Sequence, residues 1–176
     1  MLDRLMGVIT LKPAVYREIA EDKNATTSAA IIVVVMALFS GIVGAIVLSA
    51  MSSSLPPGTQ IGSPIGSAIR TIIIAILSWL IGGWVIAFVS KTFFGGKTDT
   101  GEMLRVFGFT QIFQVIAIVP CIGTIVALVL SLIGAVIGIR EASEFDTTKA
   151  ILTGIVAFVI LLIVGAILGV ILAFLG

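Results

Sequence analysis

Between Arg105 and Arg140 the chain reads VFGFTQIFQVIAIVPCIGTIVALVLSLIGAVIGI, and this stretch of 34 residues without a charged side chain decides the fold. One helix of that length would extend about 51 Å, whereas the hydrocarbon core of a bilayer is about 30 Å thick. The chain must therefore turn back within the stretch. The sequence predicts two short spans, at about residues 103–120 and 122–140, joined by a tight turn at Pro120.

Three further uncharged runs are long enough to cross a bilayer as helices. Together with the first stretch they predict a bundle of five transmembrane helices, an all-α membrane fold. Apolar residues make up 59% of the chain and charged residues 11%, a composition that a soluble domain could not cover with polar groups. The three further spans are predicted at residues 29–51, 70–91 and 150–174.

The placement of the basic residues predicts the orientation. With five spans, nine of the ten Lys and Arg residues fall on one side of the membrane, and only Arg70 falls on the other. The positive-inside rule makes the basic side cytoplasmic. The sequence therefore predicts a multi-pass protein of the plasma membrane with a cytoplasmic N-terminus and an extracytoplasmic C-terminus.

Residues 1–26 precede the five-helix domain of residues 27–176 and have a pattern of their own. Leu2, Leu5, Met6 and Ile9 recur at helical spacing, and a proline at position 13 suits the first turn of a second short helix. We expect both helices to lie on the cytoplasmic leaflet as amphipathic interfacial helices. The alternative interpretation is a solvated N-terminal arm.

The residue inventory argues against several classes of function. The chain contains no histidine, which removes the commonest metal ligand and the usual acid–base group at neutral pH. None of the uncharged runs contains an internal Asp, Glu, Lys or Arg residue; Arg70, Lys91, Arg105 and Arg140 lie at or near the ends of the predicted spans. The sequence therefore predicts no catalytic residues, no metal site and no cofactor, and a net charge of +1 gives no reason to expect a nucleic-acid partner.

Gln111 and Gln114 are the most polar side chains deep in a predicted span. Their spacing places them on nearly the same helix face, close to mid-membrane. Two interpretations remain open. They form a polar lining for a solute or lipid path, or they form hydrogen bonds between helices in a packed bundle.

Glycines at a spacing of four allow helices to approach closely. Gly134 and Gly138 form one such pair, and Gly165 and Gly169 form another. These pairs are candidates for helix packing, either inside the bundle or at a seam between two copies of the chain.

Four charged residues at predicted helix ends are candidate contacts on the cytoplasmic face: Glu102, Arg105, Arg140 and Glu141. They are the charged cluster that we expect to converge at that face. Arg140 also has a simpler explanation, because a long basic side chain at a helix end extends to the headgroups without any further role.

Several motifs together resemble the Yip family, the Ypt/Rab-interacting membrane proteins, in its short prokaryotic form. The motifs in chain order are Leu11-Lys12-Pro13 with Tyr16 and Ile19, Gly96-Lys97-Thr98, Leu104-Arg105-Val106-Phe107-Gly108-Phe109, the turn at Pro120, and Phe145-Asp146-Thr147-Thr148-Lys149-Ala150. The resemblance covers nearly the whole chain. It implies five transmembrane helices and a cytoplasmic N-terminus. Eukaryotic members are associated with Rab GTPases and membrane traffic, but this chain lacks the Asp-Leu-Tyr-Gly-Pro motif of their N-terminal region.

The sequence thus predicts a non-enzymatic membrane protein with a membrane-organising or adaptor role through its cytoplasmic face. A channel, a small-solute transporter or a lipid-translocating protein is the alternative. The expected partners are membrane lipids, and a homo-oligomer or a membrane-protein partner remains open.

Overall fold

The computed structural model describes residues 1–50, 64–119 and 122–175, and the side chains within them except at 64, 65, 67 and 168–175. Within these ranges every element of regular structure is a helix. The α-helices are α1 Leu2–Ile9, α2 Pro13–Glu21, α3 Ala25–Ala50, α4 Pro64–Phe94, α5 Thr100–Thr110, α6 Ile122–Ser143 and α7 Thr147–Leu175, and a 3₁₀ helix, Gln111–Ile118, follows α5 directly.

Four of the described helices are long and apolar enough to cross a membrane. Their apolar parts extend over Ala25–Ala50, Ala68–Phe94, Ile122–Ser143 and Thr147–Ile167. They correspond to the predicted spans at 29–51, 70–91, 122–140 and 150–174, and each helix begins or ends a few residues beyond the predicted limits. The ends of the predicted spans at Met51 and Pro120, and the predicted turn itself, lie outside the described residues.

The third predicted span, residues 103–120, differs from a single α-helix. An α-helix covers Thr100–Thr110, and the chain then tightens into the 3₁₀ helix. The segment after Thr110 is rich in β-branched residues, which restrict side-chain rotamers in an α-helix. The 3₁₀ helix ends at Val119, whose extended backbone (φ −76°, ψ 115°) suits the residue before a proline.

Helix α5 occupies the middle of the bundle. It packs against α2, α3, α4 and α6, and its buried side chains include Met103, Val106 and Phe109. Helix α7 completes the bundle by packing on α4 and α6. The long helices bury one narrow face and expose large apolar side chains on the other; Ile42, Leu128 and Leu162 are each about 60% exposed. An apolar outer surface of this extent suits lipid and not water.

Candidate functional site

The two N-terminal helices pack onto the bundle through a buried tyrosine. Tyr16 is fully buried, and its hydroxyl donates a hydrogen bond of 3.3 Å to the carbonyl of Val8. The ring lies against Gly134 and Gly138 of α6, where a side chain would collide with Tyr16 or Val106. The first predicted glycine pair therefore lies inside the bundle, where α6 packs against α2.

The second glycine pair has different surroundings. Gly165 is exposed, and a Cβ atom added there would meet nothing within 4 Å. Gly169 lies outside the part of the chain whose side chains are described. Gly165 therefore makes no close helix contact within the described bundle.

Arg105 fixes the end of α2 to α5. Its side chain is 6% exposed, and its Nε atom donates to the carbonyl of Ala20 at 2.8 Å. Its Nη2 atom donates to the same carbonyl, and Nη1 lies 3.5 Å from the hydroxyl of Thr26. Ala20 lies in the last turn of α2, where the unpaired carbonyls carry partial negative charge. The guanidinium thus supplies the donors that this helix end lacks.

Glu102 has a local structural role one turn earlier in α5. Its backbone N–H donates to the Asp99 carboxylate at 2.7 Å, and its own carboxylate accepts from the Asp99 N–H at 3.1 Å. This reciprocal arrangement is a capping box, which satisfies two unpaired donors at the helix start. Glu102 is therefore engaged within the chain.

Arg140 and Glu141 lie together at the end of α6. Their side chains form an ion pair of 2.8 Å, and Arg17 of α2 approaches Glu141 at 3.7 Å. No described contact joins this pair to Glu102 or Arg105. The four predicted residues thus make separate sets of bonds, because the Arg105 side chain extends to α2 and Glu102 caps its own helix.

Arg4 joins α1 to α2 at the same end of the molecule. Its guanidinium contacts Glu18 at 2.8 Å and Asp22 at 2.7 Å. The hydrogen bond from Arg4 is the main cause that lowers the pKa of Asp22 below its ordinary value, with a further contribution from the N–H of Asn24. The short first helix is thus held by the ion pairs of Arg4 and by buried Val8, which lie one turn apart on the same face of α1.

The ends of α4 and α6 and the loops that follow them are joined to each other. The hydroxyls of Ser90 and Ser143 share a buried hydrogen bond of 2.8 Å, and the N–H of Lys97 donates to the carbonyl of Ser143 at 3.3 Å. Glu144 lies 2.8 Å from the ammonium of Lys97, and this hydrogen-bonded contact lowers the pKa of Glu144 and raises that of Lys97. Sequence reasoning missed the serine pair, because neither residue carries a charge or a motif.

We use the name charged face for the surface formed by α1, α2, the loop at 95–99 and the end of α6 with the loop at 144–146. Its members are linked by the contacts of Arg4, Arg105, Arg17 with Glu141, and Lys97 with Glu144. Segments that are far apart in the sequence are therefore gathered into one surface.

A cleft of about 490 Å³ lies between α3, α4, α7 and the segment formed by α5 and the 3₁₀ helix. Both predicted glutamines line it. Gln114 donates to the side-chain carbonyl of Gln111 at 3.0 Å and lies 3.4 Å from the hydroxyl of Ser40. Both interpretations of the glutamines therefore stay open, because Gln111 and Gln114 form a hydrogen-bonded chain between helices and also line a cleft.

The described residues contain no group of three or more His, Cys, Asp or Glu side chains placed to hold a metal ion. The described side chains offer charged and polar groups at the charged face, and hydrogen-bonding groups within the cleft.

The helical bundle with an apolar exterior is that of an integral membrane protein. The family model described as the Yip1 domain matches residues 6–169 of the chain. The chain therefore belongs to the Yip1 family, as the motif order in the sequence indicated. Neither the curated proteins nor the solved structures gave a match.

Proposed function

We propose that the protein is a non-enzymatic, membrane-organising or adaptor protein that acts through its charged face. The observation that carries this proposal is the construction of that face. Three separate segments with nearly all the charge of the chain form one connected surface, and buried contacts at Arg105, Tyr16 and Ser143 hold it in place. A surface built in this way is suited to hold a partner or lipid headgroups in a fixed arrangement.

The proposal includes five crossings and a cytoplasmic charged face. The segment Thr100–Ile118 supplies the crossing that is not a single α-helix. Eleven α-helical residues and eight 3₁₀ residues extend about 32 Å if collinear, which matches a hydrocarbon core of about 30 Å. An odd number of crossings keeps nine of the ten basic residues on one side, in the cytoplasm of a prokaryotic cell, and carries the C-terminus across the plasma membrane.

The exposed side of α1 supports contact with the cytoplasmic leaflet. Leu2, Met6 and Ile9 are 76%, 59% and 41% exposed and lie on the side of α1 away from buried Val8. Apolar side chains on a short amphipathic helix at a membrane surface insert into the boundary between headgroups and acyl chains. Insertion into one leaflet only would enlarge that leaflet and favour curvature.

Vesicle shape tests the membrane-organising role. The purified protein, reconstituted at increasing density in liposomes that contain anionic lipid, should reduce the vesicle diameter measured by electron cryomicroscopy. The double change Leu2→Gln, Met6→Gln should weaken the effect, because it removes inserted apolar surface without touching the core. Ala14→Gln is the matched control, since Ala14 is exposed on α2. A diameter that does not depend on protein density would count against the proposal.

The cleft favours a second candidate function: a channel, a small-solute transporter or a lipid-translocating protein. The polar chain from Ser40 to Gln111 is the observation behind it. Liposome assays of ion flux and lipid scrambling test this candidate, and activity should fall in the double variant Gln111→Leu, Gln114→Leu. Well-reconstituted protein without either activity would reject it.

A further inference from the structure

The cleft combines apolar walls with one polar row. Sixteen described residues line it, and none of them is Asp, Glu, Lys or Arg. Its volume of about 490 Å³ lies within the range of about 300–1,000 Å³ that small-molecule sites occupy.

Small side chains keep this space open. Ala37 on α3 and Ala75, Ser78 and Gly82 on α4 face it. A Cβ atom added at Gly82 would meet nothing within 4 Å, so the space beside this glycine is free of protein atoms. An opening between helices in a bilayer fills with the molecules around it, and these are predominantly lipids.

The polar row leaves one donor group without an acceptor. The Gln111 side-chain carbonyl accepts from Gln114, whose own carbonyl accepts from Ser40. In the described part of the chain, nothing accepts a hydrogen bond from the Nε2 amide of Gln111. An amide N–H in hydrocarbon loses stability without a partner, so a molecule in the cleft that offers an oxygen acceptor would be favoured.

The depth and charge of the site select the type of lipid. Gln111 lies six residues beyond Arg105, or about 9 Å farther along the helix into the apolar part of the bundle. A charged headgroup at that depth is costly, and the lining offers no opposite charge. An uncharged lipid pays a far smaller desolvation cost to place its polar group there.

We propose that this cleft binds an uncharged membrane lipid whose carbonyl or hydroxyl oxygen accepts a hydrogen bond from the Gln111 amide. Two sources share this chemistry: diacylglycerol, and an isoprenoid quinone. The apolar tail lies between α3 and α4 and leaves the cleft towards the bilayer. This binding site does not depend on the role of the charged face.

The two tryptophans provide a reporter and its control. Trp79 lines the cleft, is 9% exposed, and donates its indole N–H to the carbonyl of Leu104 at 2.8 Å. Trp84 is 56% exposed and stacks on Phe88 at 5.6 Å between ring centroids. The Trp84→Phe variant therefore reports on the cleft alone, and the Trp79→Phe variant reports on the outer surface.

The experiment measures tryptophan quenching in nanodiscs of the full chain. A dibrominated diacylglycerol and a short-chain ubiquinone analogue are titrated separately, and dibrominated phosphatidylcholine serves as the charged-headgroup comparison. We expect at least one uncharged lipid to quench Trp79 saturably, at about one equivalent per chain. The same lipid should quench Trp84 in proportion to its mole fraction, without saturation. The lipid that saturates identifies the source.

Two changes test the site itself. Gly82→Leu fills the cleft and should abolish saturable quenching, whereas Gly44→Leu should not, because a Cβ at Gly44 also meets nothing within 4 Å and Gly44 does not line the cleft. Gln111→Leu should weaken binding about tenfold, as expected for one hydrogen bond in an apolar site. The emission maximum of Trp79 and the thermal unfolding midpoint report whether each variant is folded.

Three results would overturn the proposal: quenching of Trp79 without saturation by both uncharged lipids, equal saturable quenching by phosphatidylcholine, or unchanged binding in folded Gln111→Leu. None of these results tests the proposed role of the charged face. That role is tested by vesicle shape with variants of α1, whereas the quenching experiment uses variants of the cleft. Failure of one proposal is therefore distinguishable from failure of the other.

Discussion

Arg105 shows at the scale of single residues how one side chain supports a surface. It is buried, and its guanidinium bonds to a backbone carbonyl near the end of α2 instead of to a carboxylate. Gly138 has a complementary role on α6, where the absence of a side chain makes room for Val106 and Tyr16. Both residues act by positioning α2, and neither is free to contact a partner directly.

Arg105→Lys should lower the free energy of unfolding by about 1–3 kcal/mol, because an ammonium group cannot reproduce the hydrogen bonds of the planar guanidinium to Ala20. Thermal unfolding in detergent micelles measures the change. Arg140→Lys is the matched control and should have a smaller effect, since the Arg140 side chain is 29% exposed. Equal losses in both variants would contradict the assigned role of Arg105.

Gly138→Ala should destabilise the protein by about 1–3 kcal/mol, because the added methyl group would overlap the Val106 side chain. Gly165→Ala should be neutral or slightly stabilising, since its surroundings are open and alanine favours the helix. Unfolding midpoints of the two variants provide the comparison. A destabilised Gly165→Ala variant in dilute micelles would indicate a close contact that the single chain does not show.

Hydropathy placed Arg105 and Arg140 correctly at the two ends of one uncharged run, but it treated them alike. Their difference depends on a contact between Arg105 and Ala20, which are 85 residues apart, and no local pattern encodes such a contact. The glycine pairs had the same limitation. Spacing identified Gly134 and Gly138, but only the packed bundle separates them from exposed Gly165.

At the scale of elements, the segment after α5 differs most from expectation. Apolar content predicted one span at 103–120, and the chain instead changes from α-helix to 3₁₀ helix at Gln111. Hydropathy is insensitive to this change, because both helices present the same apolar side chains. The pre-proline position of Val119 did contain the signal for its end. The change matters for the cleft, since it sets the direction of both glutamines.

The pairing of α1 with α2 should depend on pH in acid. The pKa of Asp22 is lowered in the folded protein, so its ion pair with Arg4 contributes fully above the ordinary value of 3.8 and is lost as the pH falls through the lowered value. Hydrogen exchange of the α1 amides, corrected for intrinsic rates, should increase in that acid range. Asp22→Asn should produce the faster exchange already at pH 7. Unchanged exchange in this variant would show that the pairing of α1 with α2 does not depend on the Arg4–Asp22 ion pair.

At the scale of the whole molecule, the charge distribution in the sequence predicted which segments lie together. It grouped the N-terminal segment with the regions near residues 97 and 144, and Arg4, Lys97 and Glu144 do lie on one connected surface. It could not predict how they are joined, because the buried link between α4 and the end of α6 is a pair of neutral serines, Ser90 and Ser143.

Cysteine accessibility tests the proposed orientation of the first two crossings. In a Cys121→Ser background, Thr92→Cys should resist an impermeant thiol reagent applied to intact cells and react after permeabilisation, because Thr92 is exposed near the charged face. Thr59→Cys should react in intact cells, since one crossing separates the segment between the first two spans from the cytoplasmic N-terminus. Labelling of Thr92→Cys in intact cells would indicate the opposite orientation. The same labelling pattern at both positions would contradict the proposed crossing between them.

The bond between Arg105 and Ala20 also affects the order of biosynthesis. The acceptor is made 85 residues before its donor, an interval of about 4–17 s at ordinary translation rates. Until the segment that contains Arg105 has left the ribosome, the carbonyl of Ala20 in the last turn of α2 cannot accept its hydrogen bonds from that side chain. During that interval α1 and α2 lack the later helices against which they pack in the finished protein. Targeting or insertion factors therefore have access to surfaces that the finished protein covers.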